Sequence, residues 1–203
     1  GILLSNVGRF DDALPLYDYR VAHDPANPTA YNNRGITRYY ARQWDAAIED
    51  FRTALRLSPA FVGAHTGIAA SLLLGKRDAR GALREIEAEP DEASRLQLRA
   101  LSFHALGRAR ESEAALQELI RTYGEVQPAL IGLVYSYRGD RDNAFKWLDE
   151  AARIRDPAAT SVAFDVLTDP LREDPRWLPF LQKIGYAPDQ LAKIRIEVPT
   201  PSS

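Results

Sequence analysis

The residues that could do chemistry are few. His23, His65 and His104 are the only imidazoles in the chain, and imidazole is the side chain best suited to proton transfer and metal ligation near neutral pH. The three share no helical metal-ligand spacing and have no matching partner ligands. The acidic pairs Asp11-Asp12, Glu85/Glu87, Glu111/Glu113 and Asp149-Glu150 have the composition of an acid–base couple. Each falls near a helix start or on a polar face, where a carboxylate suits the helix dipole and the solvent. The chain has no cysteine, which excludes disulfides, thiolate metal sites and cysteine nucleophiles. No glycine-rich loop leads into a helix to cradle phosphate; GRAR at 107–110 and GDRD at 139–142 read as inter-helix turns. The expectation is a chain that is not an enzyme, with no catalytic, cofactor-binding or metal-binding residue and no cofactor.

Composition points the same way. The chain has 203 residues, 45% of them apolar, and a formal net charge of −2. That balance supplies a sizeable core and no electrostatic reason for nucleic-acid or anionic-membrane binding. No apolar run nears the ~20 residues needed to span a bilayer, and no basic-then-apolar signal segment opens the chain. The cysteine-free composition suits the cytoplasm, which is the expected compartment, although a bacterial periplasmic domain can also lack cysteine.

These side chains must be positioned by helices. From Pro28 to Pro59 the sequence reads as two antiparallel helices and a turn. Trp44, Ala47, Ile48, Phe51, Ala54 and Leu55 recur at the three/four spacing of a helix buried on one side. Small Ala47 and Ala54 between bulky Trp44, Phe51 and Leu55 let a neighbouring helix approach closely. Trp44 is expected to be buried between the helices. The motif recurs. A small residue opens each second helix at Ala13, Ala47, Ala82, Ser112 and Ala144, at intervals of 34, 35, 30 and 32. Four residues later stands a large apolar residue: Tyr17, Phe51, Ile86, Leu116 and Leu148. Five residues earlier stands a turn residue: Gly8, Arg42, Gly107 and Gly139.

This resembles the tetratricopeptide (TPR) family, whose 34-residue helix–turn–helix repeat has an aromatic and a small residue in its first helix, an aromatic and Ala opening the second, and a closing Pro. The resemblance implies an all-α fold, a right-handed TPR-type α-solenoid with a C-terminal helical cap. The repeats are expected at 1–27 (partial, with Gly1–Val7 as the end of a first helix), 28–59, 60–90, 91–122 and 123–156. A chain opening in mid-pattern reads as a portion of a longer protein. The third repeat is irregular: Gly75 precedes Ala82 by seven residues, so its turn reads as longer, with Asp78 as the N-cap.

The tail breaks the period. Asp156-Pro157, Asp169-Pro170 and Asp174-Pro175 each offer an N-cap carboxylate followed by a proline suited to the first helical position, which predicts helices near 157–168 and 175–185 and a shorter turn at 188–193. Trp177, Phe180, Leu181 and Ile184 form one apolar stripe, expected to cap the last repeat over 157–194. Residues 195–203 read as extended or disordered. Asp169, Pro170, Leu171, Arg172, Asp174, Pro175, Arg176, Trp177, Phe180 and Leu181 are similar to the C-terminal ending of bacterial signalling proteins in which TPR repeats follow an adenylate cyclase or a winged-helix DNA-binding domain.

In such solenoids the first helices line a concave groove. The register assigns to it Asn32, Ile36, Tyr39 and Tyr40; Thr66, Ala70 and Leu73; Gln97, Leu101 and His104; and Ala129, Leu133, Ser136 and Tyr137. Amides and tyrosines can hydrogen-bond an extended peptide while aromatic faces grip its side chains. The carboxylate clamp of chaperone-binding TPR domains is absent: Asn33 matches its middle asparagine, but Ile2, Gly63 and Gly67 stand where Asn, Lys and Arg are needed. The expected function is a non-catalytic interaction scaffold that takes a protein or peptide partner in the groove and serves a larger bacterial signalling or transcription protein. Nucleic acid and membrane are not expected partners. The alternative is a homo-oligomerisation module of a multidomain protein.

Overall fold

Each second helix begins with a residue too small to hold its neighbour away, and the structure shows the result. In the computed structural model, which describes residues 1–195, Ala13, Ala47, Ala82, Ser112 and Ala144 are all at most 1% exposed. At these contacts the first helix of each hairpin lies against the second. The hairpins are α1 (Ile2–Asn6) with α2 (Phe10–His23), α3 (Pro28–Tyr40) with α4 (Trp44–Leu57), α5 (Ala64–Ala70) with α6 (Ala79–Ile86), α7 (Glu92–Ala105) with α8 (Ala109–Tyr123), and α9 (Pro128–Tyr137) with α10 (Arg141–Ile154). Tyr17, Phe51, Ile86, Leu116 and Leu148, one turn further on, are buried in every hairpin. Ser112 fills an alanine position because its hydroxyl donates to the Ala100 carbonyl at 2.6 Å, so no buried hydroxyl is wasted there.

First helices also touch first helices along the stack: α3 meets α5, α5 meets α7, and α7 meets α9. The chain is therefore an all-α repeat solenoid, with no strand among the described residues. Phe51 shows how close the packing is. It is 1% exposed, and a Cβ on Gly67 would collide with its ring. The third hairpin differs from the sequence expectation. The left-handed turn residue is not Gly75 but Arg77, at φ 55°, which keeps the five-residue spacing to Ala82. The interval from Arg42 to Arg77 is one residue longer than 34, and upstream of the turn α5 runs on as a π-helical stretch over Ser71–Gly75, whose wider turns accommodate added length. Gly75 serves a different need: its α-carbon lies under the Trp44 indole, where a Cβ would overlap the ring. Trp44 itself is half-buried, packed on this glycine and edge-on to Tyr39, rather than sealed between helices.

Two buried carboxylates cap first helices from the far end of the same hairpin. Glu89, 1% exposed, accepts from the backbone N–H groups of Gly63 at 3.0 Å and Thr66 at 3.1 Å at the start of α5, and from Asp91 at 3.2 Å. Asp156 accepts from Ala129 N–H at 3.0 Å at the start of α9 and from Ala158 N–H at 2.9 Å. Asp78 accepts from Gly81 N–H at 2.8 Å, an ordinary N-cap.

Beyond α10 the helical reading of 157–168 gives way to α11 (Ala159–Val162), followed by a 3-10 turn over Val166–Leu171. Asp165 is extended at the break, and the Thr168 hydroxyl donates to the carbonyls of Val162 at 3.0 Å and Asp165 at 2.7 Å, competing for acceptors a continuous helix would use. Asp156 does not cap a helix here because its carboxylate is committed in part to α9, and Asp169-Pro170 lies inside the 3-10 turn. Then α12 (Trp177–Ile184) packs Trp177, Phe180 and Leu181 inward beside α10, with Lys183 bonded to Asp149 at 2.8 Å and the Arg176 guanidinium 4.5 Å from the Phe145 ring. The short α13 (Pro188–Leu191) follows. Most of the tail expectation for 195–203 lies outside the described residues.

Candidate functional site

The inner face is built by the register of the first helices. Residues one helical turn apart on α3, α5, α7 and α9 project to one side, and they converge on a cavity of about 240 Å³. Ile36, Tyr39, Tyr40, Thr66, Gln97, Leu101 and Leu133 line it, together with Phe51, Ala70, Leu98 and Leu130. Its walls are mainly apolar. Gln97 is buried and donates to the Leu130 carbonyl at 3.3 Å, tying α7 to α9. The Thr66 hydroxyl is covered and has no hydrogen-bond partner.

The remaining groove candidates lie elsewhere. Leu73 is buried and, with half-buried Tyr137, borders a second depression reaching Arg77 and Leu106. His104 is exposed and edge-on to Tyr137 at 5.9 Å; partial desolvation and the charge of Arg138 lower the pKa of its imidazole from the ordinary value. Asn32 and Ser136 are buried in the packing, with the Asn32 carboxamide oxygen unpartnered.

The remaining wall of the cavity is the chain's own tail. Ala158, Ser161, Asp165 and Leu167 line it opposite the helices, a feature absent from the sequence reading. The segment is fastened at both ends of the stack. At the α9 end, Ser136 donates to the Leu167 carbonyl at 2.5 Å. At the α3 end, the Tyr39 hydroxyl donates to Asp165 Oδ1 at 3.3 Å, and Arg42 pairs with Asp169 at 2.7 Å. Phe164 sits edge-on to Phe10 at 5.7 Å and to Tyr186 at 5.7 Å. Phe10 in turn stacks on Tyr40. Tyr39 and Tyr40 are thus covered, and burial pushes both phenols above their ordinary range, with the charge of Asp165 adding to the effect. Asp165 is itself pushed up from 3.8 to about 6 by burial, against the pull of the Leu167 N–H at 2.9 Å and of Tyr39.

Charge elsewhere is structural. Arg34 forks onto Asp50 (Nη2 to Oδ1, 2.7 Å) and reaches Asp18 at 2.8 Å, while Arg38 joins Asp50 at 2.8 Å, so one buried carboxylate pins α3 to α4. His65 Nδ1 lies 2.6 Å from Glu85, linking α5 to α6. Among the described residues no group of three or more His, Cys, Asp or Glu could hold a metal ion, and no helix is long and apolar enough to cross a membrane.

Comparison with known proteins agrees with this geometry. Residues 28–61 match the tetratricopeptide repeat family model, the stretch whose spacing carried the sequence reading. The chain is 29% identical over 107 residues to the TPR repeat-containing thioredoxin TTL4 of Arabidopsis thaliana; the match takes in 51% of this chain but only 16% of that protein's length. Among solved structures it is similar to TTC0263, a thermophilic TPR protein of Thermus thermophilus. There the TM-score is 0.60 and the identity 21%, over 78% of this chain and 94% of that one. It is also similar to MamA 41-end of Desulfovibrio magneticus, with a TM-score of 0.52 and 20% identity over 73% and 86% of the two chains. These likenesses show the TPR-like fold.

Proposed function

We propose that this TPR-like solenoid is a non-catalytic protein-interaction module that binds a peptide or short helix on its inner face, as the regulatory part of a larger bacterial signalling or transcription protein. The observation that carries the reading is the convergence of α3, α5, α7 and α9 on one apolar cavity with an unpartnered hydroxyl, Thr66, in its wall. Apolar walls with a few placed polar atoms suit a peptide side chain. The likeness of Asp169–Leu181 to the ending of cyclase and winged-helix regulators supports the larger context. The test is selection from a random peptide library on the purified chain, followed by titration of enriched peptides against wild type and Leu101→Trp, which would fill the cavity. Enriched peptides that lose affinity in the variant support the module. Failure to enrich any peptide, or binding indifferent to the variant, refutes it.

A second reading, homo-oligomerisation, is favoured by the apolar surface at the α1/α2 edge, where Ile2, Leu3 and Tyr19 are each more than half exposed. Light scattering over a concentration series decides it: a strict monomer removes this reading.

A further inference from the structure

The tail segment over residues 161–169, SVAFDVLTD, crosses the inner face in a manner unlike the rest of the fold. It is not half of a helical hairpin. Side-chain anchors attach it to helices more than 100 residues earlier in the chain: Phe164 to Phe10, Asp165 to Tyr39, and Asp169 to Arg42. The receiving surface is shaped for those anchors. A Cβ on Gly8 would lie 2.5 Å from the Phe164 ring, so the glycine that turns the first hairpin also makes room for the aromatic. Arg42 occupies the corresponding left-handed turn position of the next hairpin, at φ 60°, where glycine would be less strained. From that position its guanidinium meets both oxygens of Asp169.

The fit is incomplete. The cavity of about 240 Å³ remains between the segment and the four first helices, with Leu167 in its lining. Protein interiors are normally packed without such voids, so a better-filling side chain at the Leu167 position would gain contacts the tail forgoes.

We propose that the inner face recognises a short acidic–aromatic segment of the pattern aromatic–Asp–x–large apolar–x–acidic, and that residues 161–169 are its resident intramolecular ligand, which a partner segment of the same chemistry must displace. This rests on the interaction-module reading and names its ligand class. Main-chain capture contributes through Ser136, which donates to the Leu167 carbonyl. Arginine selects the acidic end of the segment and the aromatic shelf of Phe10, Tyr40 and Tyr186 selects the ring.

The experiment uses the full chain and a fluorescein-labelled peptide SVAFDVLTD. Wild type should bind it weakly. The loosened variant Phe164→Ala/Asp169→Ala should bind it about tenfold or more tightly, because the competing segment has lost two anchors. Adding Arg42→Glu to that variant should reverse the gain, and a peptide carrying Leu167→Phe should bind more tightly than the parent. Circular dichroism checks that the variants fold; Asp169→Lys alone, at an exposed pair, serves where the double variant does not, with a smaller gain expected. Equal affinity for wild type and loosened chain, or indifference to Arg42→Glu, overturns the proposal. Hydrogen exchange separates this outcome from the general reading. A library-selected peptide that binds without deprotecting residues 161–171 sinks the resident-ligand proposal and leaves the module standing; no selected peptide at all sinks the module.

Discussion

Removing the charge of Asp165 should change the pH dependence of stability in a defined direction. The carboxyl is 7% exposed and is pushed from 3.8 to about 6 chiefly by burial. The groups facing it are Tyr39 and Tyr40 from α3, Asp169, which repels its charge, and Arg172, which attracts it. A carboxyl with a raised folded-state pKa favours the protonated protein. Its contribution is therefore fully present below about pH 3.8 and is lost as pH rises through about 6. The gap between those two values corresponds to about 3 kcal/mol. Asp165→Asn keeps an oxygen for the Leu167 N–H and the Tyr39 hydroxyl and cannot ionise. It should be about 2–3 kcal/mol more stable than wild type at pH 8 and nearly equal to it at pH 4. Urea unfolding of both proteins at half-unit steps from pH 4 to 8 measures the difference, in which the other titrating groups, including Glu113, Asp140 and His104, cancel. A difference that stays flat within about 0.5 kcal/mol across that range would refute the reasoning, because it would mean that Asp165 is hydrated and the seam over Tyr39 is open. Carboxyl carbon shifts in NMR report the same titration directly.

Glu89→Ala should destabilise the protein by about 2–4 kcal/mol, since Gly63 and Thr66 lose their buried acceptor, and Glu89→Gln by less; urea midpoints rank them, and faster amide exchange at 63–68 locates the damage. Phe51→Ala should cost about 3–5 kcal/mol by the same method, because the ring fills the space between Gly35 and Gly67. Arg77→Gly should stabilise by about 0.5–1 kcal/mol, since an exposed arginine at φ 55° has strain to relieve; a loss of thermal midpoint would show that this side chain makes a contact worth more than the strain.

The repeat pattern was legible because it is local. A small residue at the close approach, a large one a turn later and a left-handed turn residue five positions earlier are each imposed within one hairpin by helix geometry, whatever surrounds it. Even so, Arg77 shows a limit: the turn position persisted, but an arginine in the left-handed conformation carries no glycine to mark it, and the π-helical stretch that absorbs the added length leaves no compositional sign. Seven of the twelve groove candidates meet at one cavity because first-helix periodicity fixes their facing. Asn32 and Ser136 share that periodicity yet are consumed by packing, Leu73 borders a different depression, and only neighbours decide such differences.

The tail marks the boundary most clearly. Its three Asp-Pro pairs carry the local signal of helix starts, and by themselves they predict two cap helices. Asp156 and Asp169 are instead engaged by groups distant in sequence, the Ala129 N–H and the Arg42 guanidinium, and Asp165, between them, meets the Tyr39 hydroxyl. An α-helical stack with a row of first helices on one face follows from the order of the amino acids alone. That residues 161–169 cover that face is settled only in the folded chain, because the contacts that hold them there, Phe164 on Phe10, Asp165 on Tyr39 and Asp169 on Arg42, join positions more than 100 residues apart and depend on how the intervening repeats stack rather than on any one motif.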